Sequence, residues 1–113
     1  MLLGTFEARI TQITNSADVD KLSKAAQEID RCDLTKAGRG LQKHGSRPAS
    51  AFPNPTGNVS QINAQGQYEV DNILTFPGSI IKPNKFNGIN IYTPDGTGAC
   101  FNFDGTFRGF LEP

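Results

Sequence analysis

One short stretch of the chain combines clustered cations with the only histidine. Residues 36–47 read KAGRGLQKHGSR and contain no acid. Clustered cations attract anions, and an imidazole can give or take a proton near neutral pH. The stretch therefore predicts a site for an anionic, phosphate-bearing substrate, with His44 at its centre. A structural alternative stays open, because Lys43 and His44 would also stabilise the C-terminus of a helix that ends at Gly45. The four cations are Lys36, Arg39, Lys43 and Arg47.

The charge of the whole chain does not by itself favour binding to nucleic acid. The 113 residues hold 11 Lys and Arg against 11 Asp and Glu, so the formal net charge is zero. Affinity for a polyanion must then come from uneven distribution, with an acidic N-terminal third and the basic stretch after it. A chain of this length is expected to form one domain over residues 1–113.

Several familiar kinds of enzyme site are missing from the sequence. No glycine-rich phosphate loop follows a strand pattern, and no GxSxG motif is present. A single histidine and two cysteines without CxxC spacing argue against a zinc site, so we expect no metal and no cofactor. Cys32 and Cys100 either form one long-range bridge or remain free thiols. No apolar run reaches the roughly 20 residues that span a bilayer, so no membrane insertion by this domain is expected.

Acid–base chemistry by His44 beside cations matches what cleavage of RNA through its own 2′-hydroxyl requires. A base removes the 2′-OH proton, the oxygen attacks the adjacent phosphorus, and an acid protonates the leaving 5′-oxygen. Lysine and arginine stabilise the charge that builds on phosphorus. The residue types therefore indicate a ribonuclease without a cofactor, because the substrate carries the nucleophile.

Helical patterns occupy the first part of the chain. Apolar residues recur at helical spacing over residues 3–13 and again over residues 19–29. Asp33 or Thr35 can cap a third, short helix through the basic stretch, which Gly45 would end. Two glycines weaken this helix, which indicates either a close approach of the backbone to something or an irregular loop. The apolar face of the second helix consists of Val19, Leu22, Ala26 and Ile29.

After the basic stretch the pattern changes from loop to helix to strand. Residues 46–58 hold three prolines and predict an irregular loop, and Asn58 caps a helix that runs to about Leu74. The dipeptide Asp104-Gly105 predicts a two-residue turn between the last two strands. Four short β-branched or aromatic runs predict strands over residues 79–82, 89–93, 98–103 and 106–111. The order predicts an α+β fold, with N-terminal helices packed on a C-terminal twisted antiparallel sheet of about four or more strands.

The last hairpin offers further side chains to a substrate. Thr106 and Arg108 share one face of the predicted strand, with Phe107 on the opposite face. Asn102 would line the same exposed face, and Tyr92 could stack on a base. The alternative is that Thr106 and Arg108 only face water and that Tyr92 is structural.

The combination of these motifs resembles a known family. AGRGLQKHGSRP, a helix ending in DNIL with TFPG after it, and PDGTGACFNFDGTFRGFLEP are similar to the tRNase domains at the ends of CdiA and related bacterial polymorphic toxins. The resemblance covers residues 34–113, the expected catalytic core, whereas the helical part over residues 1–33 matches nothing comparable. It implies the fold of barnase, EndoU, colicins E5 and D, and RelE.

The resemblance also implies roles and partners. Lys43 and His44 would face Thr106 in catalysis, with Arg39, Arg47 and Arg108 as phosphate contacts. The implied partners are tRNA, a cognate immunity protein and, for some members, the elongation factor EF-Tu. The implied setting is the C-terminal part of a larger cell-surface effector of contact-dependent growth inhibition that acts in the cytoplasm of the target cell.

The sequence therefore predicts a metal-independent tRNase toxin with His44 as acid or base. Its predicted catalytic residues are His44, Lys43, Thr106 and Arg108, and its predicted substrate-binding residues are Arg39, Arg47, Lys36, Asn102 and Tyr92. An alternative is a non-catalytic domain whose basic stretch binds nucleic acid or a protein. A toxin that acts on DNA is disfavoured, because no metal-binding cluster of carboxylates stands out.

Overall fold

The computed structural model describes residues 16–113, in which helices precede an antiparallel sheet. The helix predicted over residues 3–13 lies outside the described residues. Within them, the helices are α1 (Ser16–Ala25), α2 (Lys36–Gly45) and α3 (Val59–Thr75). A two-stranded hairpin of β1 (Ile29–Arg31) and β2 (Leu34–Thr35) joins α1 to α2. The main sheet consists of β3 (Ile80–Pro83), β4 (Ile89–Tyr92), β5 (Gly98–Phe101) and β6 (Phe107–Leu111). The predicted α+β class and the order of helices before sheet are confirmed.

The second predicted helix is shorter than its apolar pattern suggested. Leu22 and Ala26 are buried as predicted, but α1 ends at Ala25 and Ile29 lies in β1, where it is 62% exposed. The hairpin causes this difference, because the backbone pairs Ile29 with Thr35 across a turn at Cys32 and Asp33. Both turn residues have positive φ angles, the geometry that tight hairpins prefer.

Capping residues begin α2 and α3 where the sequence predicted them. The Thr35 hydroxyl accepts a hydrogen bond from the Gly38 N–H at 2.9 Å, and α2 ends at Gly45. Asn58 caps α3 in a reciprocal capping box with Gln61. No helix or strand is assigned to residues 46–58, which confirms the predicted loop.

Small residues let α2 and α3 pack in close contact. A Cβ atom at Gly66 of α3 would overlap the backbone of Ala37, and one at Gly38 would overlap the side chain of Asn63. Asn63 in turn accepts a hydrogen bond from the Thr35 N–H at 2.9 Å. Glycine in a helix lowers helix stability, and here the close packing of α2 against α3 requires it. This packing fixes the position of α2 and of the side chains it carries.

The main sheet is a meander in the order β3-β4-β5-β6, with α2 against β6. One face of the sheet supplies about half of the buried core, and Gly40 of α2 lies against the ring of Phe110. The buried core side chains of the sheet are Ile89, Ile91, Ala99, Phe101, Phe107 and Phe110. Among residues 16–113, no helix is long and apolar enough to cross a bilayer.

The turn between β5 and β6 is longer than the two residues predicted. The strands end at Phe101 and resume at Phe107, so residues 102–106 form a loop. Asp104 causes the difference, because its carboxylate accepts hydrogen bonds from the N–H and the hydroxyl of Thr106 at 3.0 and 2.7 Å. Short acidic side chains of this kind compete with strand pairing. As a result Phe103 is 73% exposed and Thr106 lies outside β6.

Candidate active site

A cleft of about 390 Å³ lies between α2 and β6, and it gathers most of the predicted site residues. From α2 and the loop after it come Lys36, Arg39, Lys43, His44 and Arg47; from the sheet side come Phe86, Cys100, Phe107, Arg108, Phe110 and Leu111. The basic stretch and the last strand, about 60 residues apart in the chain, therefore meet at one place, as the sequence predicted for His44 and Arg108.

Aromatic packing holds the His44 imidazole at the end of α2. Its side chain is 14% exposed. The ring makes edge contacts with Phe52 and Phe110, at centroid distances of 5.7 and 6.1 Å. Phe52 comes from the proline-rich loop and Phe110 from β6, so the loop and the last strand together orient the imidazole.

A carboxylate that the sequence reasoning missed binds the other side of His44. Glu112 Oε2 lies 2.9 Å from His44 Nδ1, and the Ser50 hydroxyl donates to the same oxygen at 2.8 Å. The Ala51 N–H donates to Glu112 Oε1 at 2.9 Å. These donors, first Ala51 and then His44, lower the pKa of Glu112 to about 2.

The ionised Glu112 decides which imidazole nitrogen is free. A carboxylate only accepts hydrogen bonds, so Nδ1 must carry a proton. Arg47 NH1 lies 3.4 Å from the same nitrogen, but a guanidinium only donates and cannot bond to a protonated Nδ1. Nε2 makes no hydrogen bond with the described residues, and His44 faces the cleft. The sequence signal for Glu112 was its place directly after β6, within the FLEP ending of the most specific motif.

The cations of the cleft fall into two groups. Lys36 pairs with Glu28 at 3.0 Å, and Arg39 pairs with Asp30 of β1 at 3.1 Å. In the part of the chain that the structure describes, no acid forms an ion pair with the other three cations, which are Lys43, Arg47 and Arg108. These three are the ones most available to an anionic ligand.

Arg108 is held at the sheet side of the cleft. Its guanidinium stacks on the Phe86 ring at 3.6 Å from the centroid, and NH1 donates to Asn102 Oδ1 at 3.4 Å. Stacking of this kind positions the planar group while leaving N–H donors for a phosphate.

Three predicted site residues do not line the cleft. The Thr106 hydroxyl donates to Asp104 and accepts a hydrogen bond from Asn102 at 3.0 Å. Asn102 borders a different depression beside Phe103. Tyr92 lies further along the sheet, where its hydroxyl accepts a hydrogen bond from Asn90 at 3.0 Å. Their predicted roles stay predictions, although Asn102 also accepts the hydrogen bond that helps to hold Arg108 at the cleft.

The remaining reactive groups are the cysteines. Cys32 is exposed and Cys100 is buried, and both are free thiols, which settles the question left open by the sequence. Burial raises the pKa of the Cys100 thiol in the cleft wall, so it is protonated at neutral pH and a poor nucleophile. Among the described residues, no group of three or more His, Cys, Asp or Glu could hold a metal ion.

Glu112 and Glu69 predict opposite pH dependences of stability. The pKa of Glu112 is lowered from 4.5 to about 2. Its contribution to the free energy of unfolding is therefore complete above pH 4.5 and is lost as the pH falls towards 2. Burial raises the pKa of Glu69 on α3, so its contribution is present at low pH and is lost as the pH rises through the folded-state value.

Thermal melts of Glu112→Gln and Glu69→Gln across the acidic range check this prediction. We expect Glu112→Gln to unfold at a lower temperature than the wild type near neutral pH. This deficit in melting temperature should shrink as the pH falls. Glu69→Gln, the matched control, should unfold at a higher temperature than the wild type near neutral pH, because it removes a buried charge, and this gain should disappear at low pH, where Glu69 is protonated. A deficit of Glu112→Gln that is the same at every pH would contradict the assignment.

Comparison with known proteins agrees with this architecture. The sequence matches the family described as CdiA C-terminal tRNase toxin domain over residues 22–112, which includes every residue that lines the cleft. The fold is similar to the crystal structure of the toxic C-terminal tip of CdiA from Pseudomonas aeruginosa in complex with immune protein. The two chains are 28% identical, and the match covers 78% of this chain and 98% of that chain with a TM-score of 0.65. No curated protein matched. The resemblance seen in the sequence is thereby confirmed, and the chain belongs to the family of CdiA C-terminal tRNase toxin domains.

Proposed function

We propose that this domain is a metal-independent endoribonuclease toxin that cleaves tRNA by transesterification through the 2′-hydroxyl. One observation carries the proposal: His44, with Nδ1 bound to Glu112 and Nε2 free, lies in the same cleft as Lys43, Arg47 and Arg108. Membership of a tRNase toxin family supports the choice of substrate.

The proposed reaction requires two proton transfers and charge stabilisation. A base removes the 2′-OH proton, the 2′-oxygen bonds to the adjacent phosphorus, and the bond from phosphorus to the 5′-oxygen breaks as an acid protonates that oxygen. The products are a 2′,3′-cyclic phosphate and a 5′-hydroxyl. His44 Nε2 performs one of the transfers, since it accepts a proton when the ring is neutral and donates one when the ring is charged.

The cleft cations bind and stabilise the reacting phosphate. Lys43 is exposed near the end of α2, and Arg108 faces it from β6, so a phosphate between them would contact both walls. Charge on the phosphoryl oxygens grows during attack, and cations fixed before reaction stabilise it without reorganising. Arg47 extends the cationic surface, and Lys36 and Arg39 contribute where substrate phosphates compete with Glu28 and Asp30.

The partners follow from the family and from the charge of the chain. We infer that a cognate immunity protein neutralises the domain, as an immune protein accompanies the similar toxin tip. A net charge of zero gives little general attraction to tRNA, which fits delivery of tRNA on a carrier such as EF-Tu. We also infer that the domain is the C-terminal part of a larger effector and acts in the cytoplasm of the target cell.

The direct test is incubation of the chain with total tRNA in EDTA, with and without EF-Tu and GTP. We expect cleavage in at least one of the two conditions, and cleavage only with EF-Tu would establish the carrier. Absence of cleavage in both, together with retained binding to tRNA or to a protein, would favour the alternative of a non-catalytic binding domain. Cleavage of DNA but not RNA would also overturn the proposal.

A further inference from the structure

We propose that Glu112 is a positioning residue that fixes His44 in the tautomer with a proton on Nδ1, so that Nε2 faces the substrate as the reactive nitrogen. This inference rests on the proposed ribonuclease function for its effect on rate, but the tautomer itself can be observed without any reaction. The motif that carries the family resemblance includes this residue, but neither the resemblance nor the sequence pattern assigned it a role.

The geometry around the carboxylate leaves little freedom for another arrangement. Oε1 is bound by the backbone N–H of Ala51, whose position the chain fixes. Oε2 is bound by the Ser50 hydroxyl and faces His44 Nδ1 at 2.9 Å. Both oxygens are therefore engaged by donors, and only a carboxylate accepts on both sides.

Glutamine at this position would reverse the hydrogen bond to the imidazole. The amide oxygen must face the Ala51 N–H, since two donors cannot bond to each other. The amide NH₂ then faces His44 Nδ1, which must accept, and the proton of the neutral ring moves to Nε2. In that tautomer the nitrogen that faces the cleft has no lone pair for the 2′-OH proton.

No other described group is placed to accept a hydrogen bond from Nδ1 of His44. Arg47 contacts Nδ1 at 3.4 Å but is only a donor, so it would favour the opposite tautomer. The aromatic contacts with Phe52 and Phe110 fix the plane of the ring but do not distinguish its two nitrogens. The charged groups in contact with the ring are thus Glu112 from the C-terminal tail and Arg47 from the loop, and the other charged groups that line the same cleft are Asp30, Lys36, Arg39, Lys43 and Arg108.

The tautomer can be read by NMR of ¹⁵N-labelled protein, because His44 is the only histidine in the chain. At a pH of about 8, where an ordinary imidazole is neutral, two-bond ¹⁵N–¹H correlations distinguish the two forms. We expect a proton on Nδ1 in the wild type and in Glu69→Gln, the matched control, and a proton on Nε2 in Glu112→Gln. A wild-type spectrum with the proton on Nε2 would overturn the inference, whatever the variants do.

Kinetics on tRNA test the consequence for catalysis. We expect Glu112→Gln to lower kcat by about 10²-fold and to change KM by less than about 3-fold, because binding groups are untouched. Glu112→Asp keeps a carboxylate that can accept the hydrogen bond, so its kcat should be at least about 10-fold higher than that of Glu112→Gln. Equal kcat in Glu112→Gln and the wild type would overturn the inference while leaving the proposed function intact. An inactive wild type with the expected tautomer would overturn the proposed function instead.

Discussion

Replacing His44 with alanine is expected to lower the rate of tRNA cleavage by about 10²- to 10⁴-fold, the range for loss of a positioned acid or base. The ring is the only imidazole in the chain, and it lies in the cleft with Nε2 free of partners among the described residues. Initial rates on total tRNA, under whichever condition supports cleavage by the wild type, measure the effect.

The matched control is Gln42→Ala, an exposed neighbour on α2 that does not line the cleft. It should cleave at the wild-type rate. Undiminished cleavage by His44→Ala would contradict the mechanism, even if the domain proved to be a tRNase. Growth arrest on expression gives a second readout, which His44→Ala should relieve and Gln42→Ala should not.

Replacing Phe101 with alanine is expected to destabilise the fold by about 3–5 kcal/mol. Phe101 is completely buried in β5 and packs edge-on against Phe107 at a centroid distance of 5.6 Å. Truncation would leave a cavity beneath β6, the strand that carries Arg108 and Phe110 to the cleft. Chemical denaturation, with the free energy of unfolding extrapolated to water, measures the loss.

Phe103 provides the matched control for this prediction. It is the same residue type two positions later, but it is 73% exposed in the loop between β5 and β6. Phe103→Ala should change the free energy of unfolding by no more than about 0.5 kcal/mol. If the two variants lost equal stability, the placement of the β5–β6 loop would be wrong.

The predictions from sequence succeeded where the physical cause was local. Hydroxyl and amide caps set the starts of α2 and α3, because these signals act within a few residues. The basic stretch also put Lys43 and His44 near the end of one helix. The class of fold followed from the order of helical and strand patterns, which needs no knowledge of contacts between them.

The predictions failed where a tight turn or a side-chain hydrogen bond, which hydrophobic periodicity does not report, decides the local structure. Ile29 fits the apolar face of α1 by spacing, yet the β1–β2 hairpin removes it from that face and exposes it. Thr106 fits a strand by pattern, yet Asp104 binds its N–H and hydroxyl and keeps it in the loop. Neither the spacing of apolar residues nor strand propensity reports the β1–β2 hairpin or the hydrogen bonds of Asp104.

The same limit applies to the electrostatics of the site. Four cations without an acid among them suggested that all were free to bind phosphate, but the fold brings Glu28 to Lys36 and Asp30 to Arg39. It also brings Glu112 to His44 across 68 positions of the chain. Charge balance and imidazole orientation in the cleft are thus properties of the fold, whereas the kinds of chemical group were visible in the sequence.

The measurement that most directly tests the central claim is the identity of the ends that this domain leaves on tRNA in EDTA. Transesterification through the 2′-hydroxyl predicts a 2′,3′-cyclic phosphate on one fragment and a 5′-hydroxyl on the other. Fragments that carry a 3′-hydroxyl and a 5′-phosphate would show that water or another nucleophile attacks the phosphorus, and would contradict the account.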